Sequence, residues 1–221
     1  FLETFQGSGI KPIIGSEFYV ATNMHENTKE YFHLVLLAKN IEGYHNLMKL
    51  SSFGYTEGFY YKPRIDLELL KKYSSGLICL SACLAGKIPQ LLLGNDYEGA
   101  VEYAKTLMSM FDDGDFYIEI QDHGILDQKR VNPLLVKMAR ELGVKVVATN
   151  DAHYLNKEDA EMHDVLLCVQ TGHKVDDVDR MRFETDEFYL KTYDEMLETF
   201  SWIPEALDNT CEVADKINFT V

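Results

Sequence analysis

The sequence predicts an α/β domain built from β-α units around a parallel sheet or barrel. Five short apolar runs rich in β-branched residues, each followed by a segment of helical period, are typical of such units. The 221 residues, 46% of them apolar and 26% charged, are enough to bury one sizeable core in a chain of ordinary globular composition. These values exclude a disordered or fibrous chain.

The five runs predict buried strands at residues 12–20, 32–37, 76–81, 116–120 and 144–149. Between them, Asn95 and Glu98 form a capping box that begins a helix. Another helix ends at Gly143, and either Asn132 or Asp127 begins it. Beyond residue 154 the pattern predicts a helix at 159–169, a charged loop at 176–183 and a closing amphipathic helix at 202–217.

Composition limits the partners of the chain. Its 36 acidic and 21 basic residues give a formal charge of −15, which repels a phosphate backbone unless basic residues cluster. No long basic cluster is visible, so we expect another domain to hold DNA if DNA is a partner. Four cysteines without a disulfide framework or a CxxC knuckle indicate a reducing, cytoplasmic location. We expect no contact with a membrane.

Potential metal ligands lie in or just after every predicted strand. They are Glu17, His33, Cys83, His123, and Asp151 with His153. The carboxyl ends of parallel strands meet at one edge, where functional residues gather. Glu17 and His33 lie within apolar runs, and an ionisable group there is costly to bury unless it is paired or metal-bound. Taken singly, each is more often a hydrogen-bonded structural residue, but their recurrence favours a site.

Asp151 and His153 lie two residues apart, so on an extended segment both side chains leave the same face and can bind one cation or bridge two. Their donor atoms suit zinc or manganese, and the sequence does not choose between these ions. The alternative is that Asp151 caps the following helix and His153 is a surface residue. Both interpretations stay open.

The remaining candidates are weaker. Cys83 is either a thiolate ligand or inert packing, and His123, in a turn-forming Asp-His-Gly segment, is expected beside the site. The sequence contains no GxGxxG after a strand, no P-loop and no GxSxG elbow. Nucleotide binding and serine hydrolysis therefore lack support, which leaves a metal-dependent hydrolase site.

From Gly9 to the C-terminus, the chain resembles the PHP domain (polymerase and histidinol phosphatase domain) of the bacterial DNA polymerase III alpha subunit. The stretches that carry the resemblance are GIKPIIGSEFYVA, HLVLLAKNIEGYHNLMKL, GFYYKPRID, GLICLSACLAG, FYIEIQDHG, VVATNDAHYL, EFYLKTYDEM and EALDNTCEVADKIN. The resemblance implies a distorted β-α barrel of the PHP type over residues 1–155. A helical extension toward a polymerase palm would follow over residues 156–221.

The resemblance also implies a cluster of up to three divalent ions, zinc or manganese. Carried over by motif, the metal ligands would be Glu17, His33, Cys83, Asp151 and His153. Asp151 and His153 are the expected catalytic pair, and Arg64 and His123 are expected to bind substrate. The family pattern also opens with a His-x-His segment and an Asp-His-Gly turn other than the one at His123, and both are expected upstream of Phe1, so we expect an N-terminally truncated domain with a partial site.

The implied function is that of a fragment of a DNA-directed DNA polymerase with a metal-dependent 3′–5′ exonuclease site for proofreading. Expected partners are DNA, bound through the full-length polymerase, and other subunits of the replicative holoenzyme. Two alternatives stay open. One is a scaffold that braces the polymerase without chemistry of its own, and the other is a free-standing phosphoesterase that acts on a small phosphate ester.

Overall fold

A computed structural model describes residues 2–5 and 7–220. Its strands are β1 (Gly15–Val20), β2 (Phe32–Ala38), β3 (Arg64–Ile65), β4 (Leu77–Leu80), β5 (Phe116–Ile120) and β6 (Lys145–Ala148). Its helices are α1 (Leu2–Phe5), α2 (Ile41–Thr56), α3 (Leu67–Lys72), α4 (Lys87–Leu93), α5 (Tyr97–Met108), α6 (Leu126–Leu142), α7 (Ala160–Thr171), α8 (Tyr193–Thr199) and α9 (Glu205–Lys216), with a 3-10 turn at Lys157–Asp159. In this part of the chain no helix is long and apolar enough to cross a membrane.

The strands form one mixed sheet in the order β3-β1-β2-β4-β5-β6. β2 runs antiparallel to β1 and β4, whereas the other neighbouring strands are parallel. The predicted α/β class is confirmed, but the prediction of an all-parallel sheet is wrong for β2. Residues 21–31 join β1 to β2 without a helix, and a parallel return would need a longer crossover. Among the described residues, no pairing between β3 and β6 closes a barrel.

Helix α5 begins one residue later than the predicted capping box. Asp96 is the N-cap, and its side chain accepts a hydrogen bond from the backbone N–H of Gly99 at 2.9 Å. Asn95 instead adopts a left-handed conformation with φ 62°, which asparagine tolerates better than most residues. The predicted helix is therefore confirmed, while the assignment of Asn95 as its cap is wrong.

Helix α6 begins before both predicted starting points, directly after Ile125. Asp127 lies in its first turn and Pro133 lies inside it. A proline in a helix interior removes one backbone hydrogen bond and costs about 3 kcal/mol. The helix continues through it because neighbours such as Val131 and Leu135 are buried in the core. Its end at the left-handed Gly143 is confirmed.

The helices predicted beyond residue 154 are confirmed as α7 and α9, and the charged segment 176–183 contains no helix or strand. One face of the sheet packs on the main core, which includes residues of α2, α4, α5 and α6. The other face carries a smaller apolar cluster that includes Ile78, Tyr117, Val147 and Val213. Because side chains alternate along a strand, Glu119 and Thr149 follow on this second face, toward the carboxyl ends of β5 and β6.

Candidate metal centre

Glu17 of β1, His33 of β2 and Cys83, which follows β4, bring three potential ligand atoms within 4.8 Å of one another. Nδ1 of His33 lies 3.0 Å from Oε1 of Glu17 and 3.6 Å from Sγ of Cys83. Within residues 2–5 and 7–220, no other group of three such side chains meets this closely. The structure thus joins three of the residues that the sequence singled out.

The antiparallel pairing of β1 and β2 places Glu17 beside His33. Tyr19 lies opposite His33 and Glu17 opposite Val35, so Glu17 and His33 are diagonal neighbours on one face of the sheet. His33 is the second residue of β2, and the expectation that ligands come from carboxyl ends of strands does not hold for it. It reaches the shared edge because β2 runs opposite to its neighbours.

The loop after β4 holds Cys83 next to His33. The backbone N–H of His33 donates to the carbonyl of Ala85 at 3.0 Å, and Ala82 has a left-handed φ of 68°. A methyl group at Gly86 would lie 2.5 Å from a backbone oxygen of the same loop, so this tight path requires glycine there. The thiol is half-buried rather than packed in the core.

The three side chains together favour a positive charge between them. Burial lowers the pKa of His33, but the neighbouring Cys83 and Glu17 outweigh this effect and raise it to about 10. Carboxylate, imidazole and thiolate together make a donor set typical of zinc. Bonds of about 2.0–2.3 Å in a tetrahedral zinc site place N, O and S ligand atoms roughly 3.3–3.6 Å apart. The observed separations are close to this range, so the three residues fit a cation.

Asp151 and His153 follow β6, and neither belongs to this group of three. Asp151 has a left-handed φ of 44°. Within the described residues no group donates a hydrogen bond to its carboxylate, and Asn156 rather than Asp151 caps the next helical turn. His153 is exposed, with Nδ1 2.6 Å from the backbone oxygen of Asp151. Its imidazole ring lies 4.8 Å from the ring of Phe183.

A surface pocket of about 430 Å³ lies next to His153. Among its lining residues are Phe183 and His163, and the rings of both contact the imidazole of His153. The wall contains one arginine, Arg182, and three acidic residues, Asp164, Glu184 and Asp186. Its volume lies in the range of small-molecule sites.

His123 lies in the interior and is fully buried. The side-chain amide of Gln128 donates to its Nδ1 at 2.8 Å, so Nε2 carries the proton and donates to the carbonyl of Asn150 at 2.7 Å. Burial lowers the pKa of this imidazole, and Phe188 stacks on it at 3.8 Å. His123 contacts the backbone of the residue before Asp151, and both its place beside the site and its binding of substrate stay predictions.

Arg64 is 1% exposed. Its guanidinium donates hydrogen bonds to the backbone carbonyls of Met24, Glu26, Thr28 and Gly58. These contacts attach the segment between β1 and β2 to the end of α2. The prediction that Arg64 binds substrate finds no support in this arrangement.

Glu119 is a site residue that the sequence analysis did not single out. It is 5% exposed, and its carboxylate accepts hydrogen bonds from the backbone N–H of Ala82 at 3.0 Å and from Gln121 at 3.2 Å. The hydroxyl of Thr149 is a third donor. Burial raises the pKa of this carboxyl. An acid within the apolar run FYIEI carried the same signal as Glu17.

Comparison with known proteins identifies the family of the chain. A family model described as "PHP domain" matches residues 1–123, more than half of the chain. The chain belongs to the PHP domain family. This PHP domain is 50% identical to the DNA polymerase III subunit alpha of Borreliella burgdorferi over 98% of the chain. The corresponding proteins of Treponema pallidum and Thermus aquaticus are 45% and 47% identical, over 100% and 97% of the chain.

The chain spans about a fifth of the length of these relatives: 19%, 19% and 18% of the three proteins. The similarity therefore concerns one region of much longer polypeptides.

Proposed function

We propose that this PHP domain belongs to the alpha subunit of a bacterial DNA polymerase III and carries a metal-dependent 3′–5′ exonuclease site. The observation that carries the proposal is the convergence of Glu17, His33 and Cys83 on one point. Relatives at 45–50% identity that are named DNA polymerase III subunit alpha support the parentage. Those relatives support the assignment to a polymerase, and the geometry of the site supports hydrolysis.

In this proposal Glu17, His33 and Cys83 hold a zinc or manganese ion, with Asp151 and His153 as further ligands and as the catalytic pair. A bound divalent ion would activate a water molecule and neutralise charge that develops on the phosphate. The carboxylate of Asp151 has no donor within the described residues, which leaves it free for a cation. Because Nδ1 of His153 donates to the backbone oxygen of Asp151, the exposed Nε2 is the atom that would bind the ion.

The DNA strand would come from elsewhere in the polymerase. The net charge of −15 disfavours binding of a phosphate backbone by this domain alone. The pocket beside His153 has the volume of a small-molecule site. Arg182 in its wall can pair with a phosphate, while the acidic residues of the wall would favour a nucleotide that arrives with bound cations. Other subunits of the replicative holoenzyme are the expected partners of the whole protein.

The test uses the whole polypeptide as its gene encodes it, with a primer that ends in a 3′ mismatch and with added manganese or zinc. We expect the enzyme to remove the terminal nucleotide. Asp151→Ala should abolish this cleavage, whereas Asp113→Ala, which changes an exposed carboxylate distant from Asp151 in sequence, should retain it. Primer extension, measured in parallel, verifies that both variants are folded. No cleavage with either metal would overturn the exonuclease and favour the scaffold. Hydrolysis of a small phosphate ester without DNA cleavage would favour the phosphoesterase.

A further inference from the structure

The carboxylate of Glu119 connects three neighbouring strands at the edge that bears the metal centre. Glu119 lies on β5, between β4 and β6 in the sheet. Oε2 accepts from the backbone N–H of Ala82, past the end of β4. Oε1 accepts from Thr149, past the end of β6. One buried side chain therefore contacts both segments that carry potential ligands.

On the β4 side, the contacts of Glu119 fix the path that leads to Cys83. The backbone N–H of Glu119 donates to the hydroxyl of Ser81 at 2.8 Å, and its carboxylate receives the N–H of Ala82. Ala82 has a left-handed φ of 68°, a conformation that a residue with a Cβ maintains only when its surroundings hold it. Cys83 is the next residue, so its direction depends on this contact.

The β6 side repeats the arrangement. Thr149 donates its hydroxyl to Glu119, and two residues later Asp151 turns the chain with a φ of 44°. Each segment thus bends through a left-handed residue within two positions of its contact with Glu119. One bend directly precedes Cys83, and the other is at Asp151 itself.

Among the described residues, Glu119 also has no compensating positive charge. Within residues 2–5 and 7–220, no lysine, arginine or histidine forms an ion pair with it, although burying a carboxylate without one is costly. By contrast Asp115, at the other end of β5, pairs with Lys39 and Lys216. A cation held at the neighbouring edge would offset part of that cost.

From these contacts we infer that Glu119 is a positioning residue of the metal centre, one that holds the Cys83 loop and the Asp151 turn in fixed relation without ligating the ion. The inference rests on the proposed metal centre and names a residue that the proposal does not use. Hydrogen-bonded partners of metal ligands typically change metal affinity about 10- to 100-fold when they are removed.

The informative variant is Glu119→Leu, which is similar in size and removes both acceptor oxygens. Glutamine is less informative at this position. Its amide oxygen can accept from the N–H of Ala82 while its amide nitrogen donates to the hydroxyl oxygen of Thr149, which would keep both links. Leucine breaks both links between the strands.

We would titrate the metal-free whole polypeptide with cobalt(II) and follow the thiolate-to-cobalt charge-transfer absorption, which reports ligation by Cys83. Cys83→Ser identifies the band by removing it. We expect Glu119→Leu to bind cobalt about 10-fold more weakly, with a diminished band; this is the lower end of the range for direct partners of ligands, because Glu119 contacts residues beside the ligands. The matched control, Asp115→Asn, changes another buried carboxylate, directly before β5 (3% exposed), and should bind cobalt as the unaltered protein does. Urea unfolding of both metal-free variants separates lost affinity from lost folding.

Thr149→Val removes the β6 link alone and keeps the link to Ala82. We expect weaker cobalt binding with the thiolate band intact at saturation. Unaltered cobalt affinity and absorption in Glu119→Leu would overturn the inference alone. Absence of the band in the unaltered protein would overturn the proposed centre itself, and the inference with it.

Discussion

The buried guanidinium of Arg64 gives the sharpest test of the fold, through the substitution Arg64→Met. Methionine keeps much of the length and removes every donor. The carbonyls of Met24 and Gly58 receive bonds of 3.0 and 3.1 Å in the interior, while those of Glu26 and Thr28 lie in an exposed segment and can bind water. Leaving a buried acceptor unpaired costs about 1–3 kcal/mol. The Gly58 carbonyl keeps a bond of 3.3 Å from the backbone N–H of residue 64, so the carbonyl of Met24 alone is left unpaired and the free energy of unfolding falls by about 1–3 kcal/mol.

Urea unfolding at neutral pH measures this loss. The matched control is Arg130→Met, because Arg130 is exposed and donates to acceptors at the surface, and surface substitutions usually stay within about 0.5 kcal/mol. The reasoning is refuted if Arg64→Met costs no more than Arg130→Met. Kinetics with Arg64→Lys adds a second criterion. A raised KM at unchanged stability would restore the prediction that Arg64 binds substrate.

Two further predictions concern a helix contact and an ion pair. A Cβ at Gly43 would lie 1.8 Å from the carbonyl oxygen of Gly76, so Gly43→Ala should destabilise by about 1–3 kcal/mol or more. Gly54→Ala, in the same helix with its nearest atom at 3.6 Å, should instead stabilise by about 0.5–1 kcal/mol; equal unfolding midpoints would contradict this. Two bonds from Arg180, each 2.6 Å, lower the pKa of Asp164. The stability that this ion pair contributes is present above the unfolded-state pKa and is lost as pH falls through the folded-state pKa. Asp164→Asn should therefore flatten the acid side of the plot of unfolding free energy against pH. Parallel plots for the two proteins would exclude this contribution.

Apolar runs were sufficient to locate most of the sheet. β3 was missed because its two residues, Arg64 and Ile65, are too few to form a pattern, and because arginine is rarely buried. The prediction that β2 is parallel to its neighbours was wrong because an apolar run does not indicate the direction of its strand. The clue lay outside the strand, in a connection at 21–31 that contains no helix.

The site was predicted in part, and for a physical reason. Glu17 and His33 stood out because charged groups in apolar runs need partners, and the structure supplies them. Cys83 was ambiguous, since a thiol suits a core as well as a metal, and only tertiary contact distinguishes the two. The same rule that favoured Glu17 applied to Glu119, but the fully buried acid turned out to bind backbone and hydroxyl donors. Sequence pattern identifies groups that need partners without saying which partners they find.

The register of β1 against β2 has a consequence for how this site can change during evolution. Tyr19 lies opposite His33, and a shift of one residue would turn Leu34 toward Glu17 and send the imidazole into the core. An inserted or deleted residue inside β2 would therefore remove a ligand and bury a polar ring in one step. A change of length in the exposed segment 25–30 would do neither. Homologous chains that keep a metal should vary in length in that segment and keep β2 free of gaps.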